Sequence, residues 1–278
     1  MKTLNCTMVT THVDLAGERF AVEGLEPFAA SVNNNYLPFT HEHDIRKPPI
    51  GRVASATIVQ LEDGEFAITG RVEVFEEGDT LFSVRGDGRR ILVAQDDTPT
   101  FCVEYDRSYE TPEGRELLAA LNRLSPESSA TAQVKKSVEP ISTLTIAMYV
   151  GGAIAAGALA KLGEDLYLGL KNVLKGFFAS HTPSEERLLD FQFTTLWRGQ
   201  LVEAHVLLTN PVPEELDALF SSGFADLETF LSRCQGEDLA RFVFEYRAGQ
   251  LRCLYILRGD CVPLQIRPIG RAMRGGTE

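Results

Sequence analysis

Residues Ile141 to Phe178, ISTLTIAMYVGGAIAAGALAKLGEDLYLGLKNVLKGFF, decide how the rest of the chain is read. The first twenty, Ile141 to Ala160, contain no charged side chain. As an α-helix they would span roughly 30 Å, the thickness of a bilayer's hydrocarbon core. Gly151, Gly152, Ala155, Ala156 and Gly157 would form a thin face on which a second helix could approach closely. Ile146, Tyr149, Val150, Gly151, Gly152, Ile154, Ala155 and Leu159 are therefore the candidate membrane or interface residues. Abundant Ala, Gly, Ser and Thr keep the transfer energy modest, and lysines flank both sides, so a helix buried in protein or in an oligomer contact is the competing expectation. From Leu162 onward, Leu166, Leu170, Val173 and Phe177 recur at helical spacing while Lys171 and Lys175 face elsewhere, which predicts an amphipathic helix. That helix packs on a domain or lies at a membrane surface.

Around this module the chain divides into a β-rich unit over 1–124, a polar linker over 125–140, the helical module over 141–180 and an α+β unit over 185–268. In the first unit Glu65 to Phe75 alternates apolar and polar after a turn at Glu62-Asp63-Gly64. Phe20 to Val22, Ala54 to Gln60, Ile91 to Ala94 and Thr100 to Tyr105 also read as strands, which together predict a small barrel or sandwich. Thr111-Pro112-Glu113-Gly114 opens a helix with Leu117, Leu118 and Leu121 on one face. In the last unit Leu189–Leu196 and Leu201–Leu208 form one hairpin, and Leu239–Tyr246 and Leu251–Leu257 a second. Helices between Pro211 and Cys234 complete a ββαββ order, expected as an antiparallel sheet with helix on one face. The fold class expected is α+β.

The bulk composition narrows the function. A net charge of -12 gives a phosphate backbone no positive surface, so no nucleic-acid partner is expected. Five cysteines are widely spaced with no C-x-x-C pair, and the first residues lack the apolar core of a signal peptide. These features point to the cytoplasm, with association to the inner membrane through the central helix. No P-loop, H-E-x-x-H or G-x-S-x-G motif occurs, and no cofactor is expected.

Chemistry-bearing residues concentrate at His41-Glu42-His43-Asp44, ahead of Pro49-Ile50-Gly51-Arg52. In an extended chain His41 and His43 share a face, which suits a metal or a general base, although two nitrogens alone do not complete a metal site. Solvated imidazoles in a polar loop are the plainer reading.

Tyr36-Leu37-Pro38-Phe39 through His43-Asp44, then Pro49-Ile50-Gly51-Arg52-Val53, a turn at Asp63-Gly64 and a strand reaching Gly70 resemble the opening of the tailed-phage prohead maturation proteases. The resemblance covers about residues 36 to 105 and implies a compact β-barrel, bacterial or phage surroundings, and His43 as the catalytic base. The family's nucleophile strand best matches Phe101-Cys102-Val103-Glu104-Tyr105, which puts Cys102 where the family has Ser. Cys102 is then a nucleophile or a buried core thiol. Three functions are thus expected from the chain: a non-catalytic, effector-like protein whose helical module mediates self-association, partner docking or membrane contact; a peptidase using His43 and Cys102; and a metal-binding domain at His41 and His43.

Overall fold

The computed structural model describes residues 1–14, 17, 19–40, 44–76, 86–93, 101–124, 129–132, 141–150, 164–180 and 186–264. They build an α+β fold around two sheets. The smaller holds β1 (Lys2–Thr10), β2 (Leu37–Phe39), β3 (Gly51–Gln60) and β4 (Phe66–Val74) in the order β1-β4-β3-β2, every neighbour antiparallel. Helix α1 (Leu25–Asn34) lays Leu25, Ala29 and Val32 against Val53, Ala56, Ile68 and Val72. This sheet is open at both ends, so the barrel expected for the first unit does not form. Val22, expected in a strand, instead starts a 3-10 turn.

The larger sheet has eight strands: β5 (Phe101–Tyr105), β6 (Ser129–Ala132), β7 (Ser142–Val150), β8 (Arg187–Trp197), β9 (Gln200–Thr209), β10 (Leu239–Arg247), β11 (Gln250–Arg258) and β12 (Pro263–Leu264). Their order is β12-β11-β10-β9-β8-β7-β5-β6. Two hairpins close on Arg198-Gly199 and Ala248-Gly249, with positive φ at both loop residues of each, the two-residue turn whose twist suits antiparallel strands. Between the hairpins β9 runs parallel to β10, so the expected purely antiparallel ββαββ sheet is mixed. The link is a crossover through α4 (Pro213–Ala218), a π-helical turn (Leu219–Gly223) and α5 (Phe224–Arg233), as a parallel pair requires. The pairs β5–β6 and β7–β8 are likewise parallel; α2 (Pro112–Asn122) lies between the first two and α3 (Glu164–Ser180) between the second.

The central module is therefore half strand. Residues 142–150 lie between β5 and β8 in the sheet, with Leu144, Ile146 and Met148 fully buried. Their period is two: these side chains face the helices while Thr143, Thr145 and Ala147 take the opposite face. Thr and Ala hide that alternation because neither is charged, and the run then looks uniformly apolar. Ile146, Tyr149 and Val150, expected on a helix, are β7 residues; Gly151, Gly152, Ile154, Ala155 and Leu159 lie outside the described residues. Among the described residues no helix is long and apolar enough to cross a membrane. The expected membrane contact and inner-membrane association therefore lose their basis. α3 does form, burying Leu170, Leu174, Phe177 and Phe178, with Lys171 and Lys175 both paired to Asp217 of α4.

Candidate functional site

The described helices of the large sheet cover one face, where Phe191, Phe193, Phe220 and Phe224 meet edge to face. Alternation sends the intervening residues of β8, β9 and β10 to the other face. There Asp190, Glu203 and His205 are all at least 95% buried, in a region bordered by Tyr36, Ala54 and Ile91 of the N-terminal part. His205 Nδ1 bonds Asp190 at 3.0 Å, and Arg241 donates to Glu203 through Nε at 2.7 Å and Nη2 at 2.6 Å. His205 Nε2 points toward Glu203 Oε2 across 3.7 Å and makes no hydrogen bond.

The electrostatics follow from that closure. Burial alone pushes the His205 pKa down, but the Asp190 and Glu203 carboxylates outweigh it and hold it up at about 9. Burial likewise pushes Glu203 up, and Arg241 with His205 overcomes it, bringing Glu203 to about 2. At neutral pH His205 and Arg241 are cationic and Glu203 is ionised, so the buried Glu203 carboxylate is flanked by opposite charge. An Asp–His pair of this kind can orient an imidazole as a general base. Its free nitrogen, however, faces Glu203 in a closed interior and reaches no solvent.

The seam between the sheets is polar as well. Arg52 Nη1 donates to the Asp260 carbonyl at 3.0 Å and its Nε to Glu73 at 2.8 Å. Tyr255 Oη donates to the Ile45 carbonyl at 2.7 Å, and Ile91 N to the Gly259 carbonyl at 2.7 Å. The Tyr36 ring stacks between the Arg52 and Arg89 guanidinium groups, 4.2 Å and 4.5 Å from its centroid. Arg46 joins Asp44 to Glu186 and Thr209.

Of the residues expected to carry chemistry, Cys102 alone lies among the described residues. His41 and His43 lie outside the described residues. Cys102 sits on β5, half-buried, in the large sheet rather than beside β2 and β3. It shares the row Cys102, Ala147, Gln192, His205, three strand spacings or about 14 Å from the histidine, too far for proton transfer. Among the described residues no three of His, Cys, Asp and Glu come together to hold a metal, which removes the metal-binding reading there. The sequence signal for the buried cluster was present: Asp190, Gln192 and Thr194 alternate with Leu189, Phe191 and Phe193. Such positions ordinarily face water, and on this face Tyr36, Ala54 and Ile91 of the N-terminal part pack over the strands instead.

The second candidate is an edge. β1 closes one end of the small sheet, pairs with β4 alone among the described strands, and leaves its outer row of N–H and C=O groups unpaired in the ladder. The other edge, β2, is three residues long and contains Pro38, and β12 is two residues long and begins with Pro263. Short, proline-bearing edges resist strand addition. β1 has nine residues, no proline, and Lys2 as its one charge. Leu4, Cys6 and Met8 are half-buried on the α1 side, whereas Asn5 and Thr7 are exposed on the other.

No protein family, no curated protein and no solved structure matches this chain, so the reading of its function rests on these sites.

Proposed function

We propose that this protein works as a self-associating interaction module, joining a second copy of itself edge to edge through β1. The single observation that carries the reading is the long, nearly uncharged free edge on an otherwise acidic chain. Two copies of a chain with net charge -12 repel each other over most of their surface. β1 is a place where they can meet without facing carboxylates.

The strand is also complementary to itself. Antiparallel pairing about a two-fold axis at Cys6 sets Leu4 opposite Met8 and Asn5 opposite Thr7. The apolar side chains of both copies then fall on one face, beside both α1 helices, and the polar ones on the other. The bulge between Thr7 and Val9 bends the far end of the strand, which concentrates pairing around Cys6. A contact of this length lies at the small end of specific interfaces, below about 1,200 Å², so the dimer is weak and concentration-dependent.

Sedimentation velocity from about 1 µM to about 500 µM reads the association directly. The wild type is expected to shift from monomer to dimer. Asn5→Lys with Thr7→Lys places lysines opposite lysines and should hold the protein monomeric and folded, because both positions are exposed. Mixing that variant with Asn5→Glu, Thr7→Glu should restore a dimer containing one copy of each. A wild type that stays monomeric, or a lysine variant that dimerises as well as the wild type, defeats the proposal.

A further inference from the structure

The charged cluster on the polar face of the large sheet sits beside the seam where the N-terminal part is fastened. His205 is 4% exposed, with Asp190 of β8 3.0 Å from Nδ1 and Glu203 of β9 3.7 Å from the unbonded Nε2. Arg241 of β10 is the second cation of the set, bound to Glu203 at 2.6 Å. The in-register neighbours of His205, Gln192 on β8 and Val243 on β10, are uncharged. Tyr255 of β11 is close enough to Arg241, Asp190 and Asp44 to sense their charge, and burial keeps its phenol protonated. Cys261, beyond β11, is wholly buried in one apolar cluster with Tyr36, Ala54 and Ile91, within reach of the charges on Arg241, Arg52 and Asp260.

The seam is fastened at separate points: Arg52 to the Asp260 carbonyl, Ile91 N to the Gly259 carbonyl, Tyr255 to the Ile45 carbonyl, and Arg46 to Glu186 and Thr209. Among the described strands no ladder joins the small sheet to the large one, so the two can part with both sheets intact. While the seam is closed, the charges beneath it have no water and depend on one another. With His205 protonated, two cations face the Asp190 and Glu203 carboxyl groups. Once that proton leaves, Arg241 is the one cation of the set, and it is already bound to Glu203. An uncompensated buried charge is costly, and opening the seam relieves it by admitting water.

We infer that the N-terminal part is a pH-dependent cover, latched over the polar face of the large sheet by the proton on His205. Burial lowers the His205 pKa, Asp190 and Glu203 outweigh it, and the closed form holds it at about 9. In water the same imidazole titrates near about 6.5. The proton therefore stabilises the closed form fully below about 6.5, and that stabilisation fades as pH rises toward about 9. Within that interval each pH unit raises the ratio of open to closed molecules by up to about tenfold. Opening bares Leu207, Val243 and Cys261, while the helix-side core around Phe191 and Phe193 stays packed. The cover does not depend on pairing at β1.

Alkylation of Cys261 by iodoacetamide reads the opening, located by mass spectrometry and divided at each pH by the rate in the urea-unfolded chain. Full-length protein at about 1 µM keeps association through β1 out of the measurement. The normalised wild-type rate should rise at least about tenfold from about pH 6.5 to about pH 8.5. His205→Gln should label fast at both, with less than about a twofold difference. If that variant does not fold, Asp190→Asn takes its place: without the carboxylate the closed-form pKa falls, and the slope should drop by more than about half. Tyr255→Phe removes a bond of the seam and leaves the cluster intact, so it should label about two- to tenfold faster at every pH with the same slope. Ile146→Val weakens the helix-side core; labelling through global unfolding would then speed up about two- to tenfold, whereas labelling through the cover should not change. A flat wild-type profile, a slope that survives the cluster variants, no acceleration in Tyr255→Phe, or labelling that follows Ile146→Val overturns the inference.

Discussion

The two faces of the large sheet are built from the same strands and held by opposite means. Toward the helices, Leu144, Ile146, Phe191, Phe193, Val206 and Phe242 are almost wholly buried among rings and aliphatic chains. That face gains its stability from apolar area and close packing, which do not respond to pH. Toward the small sheet, the same β8 and β9 bury Asp190, Glu203 and His205, whose balance depends on protonation. Alternation along one strand thus lets a single chain carry a packing face and an electrostatic face back to back. A polar position in a strand is therefore not by itself a surface position.

Substitution at Ile146 tests the packing face and should have the largest effect. Ile146→Lys puts an ammonium among Val103, Leu144 and the α3 residues and should cost more than about 4 kcal/mol, leaving little folded protein by circular dichroism. A variant that stays folded would contradict the central placement of β7.

The electrostatic face should answer to pH instead. The folded His205 pKa is raised above its unfolded value of about 6.5, so its contribution is complete below that pH and is lost as pH rises through about 9. The size of the effect is on the order of 3 kcal/mol. Glu203 has the opposite sense: its contribution is present above about 4.5 and fades as pH falls toward about 2. Urea unfolding should therefore show a plateau near pH 4.5–6.5 and declining stability toward pH 9. His205→Gln should flatten the alkaline decline while lowering stability at pH 6. An unchanged slope would place the titrating group elsewhere.

The smallest effect is expected on the outer side of α3, where Leu168 is 44% exposed. Leu168→Lys should change the urea midpoint by the equivalent of about 0.5 kcal/mol or less. A loss comparable to that at Ile146 would mean that this side of the helix is covered.

Legibility followed physical scale. The hairpins over 187–209 and 239–258 were visible because β-branched and aromatic runs flank Gly-containing turns. The helix over 112–122 announced itself through Thr111, whose hydroxyl accepts from Gly114 N, and through Pro112 in the first turn. β1 and α1 were not singled out: the first alternates Thr, Asn and Cys with Leu and Met, and the second has no side-chain cap at Gly24. Residues 142–150 misled because a strand enclosed on both sides and a buried helix are equally free of charge.

Local sequence was enough for the α+β class, the two C-terminal hairpins, the helix crossing between them and the amphipathic helix over 164–180. Each of these depends on neighbours a few residues apart, which periodicity and turn chemistry record. Long-range packing made 142–150 a strand, set β9 parallel to β10, brought Asp190, Glu203, His205 and Arg241 together and left β1 at an edge. Those facts depend on which distant segments pack together, and residues near one another along the chain carry no record of that choice.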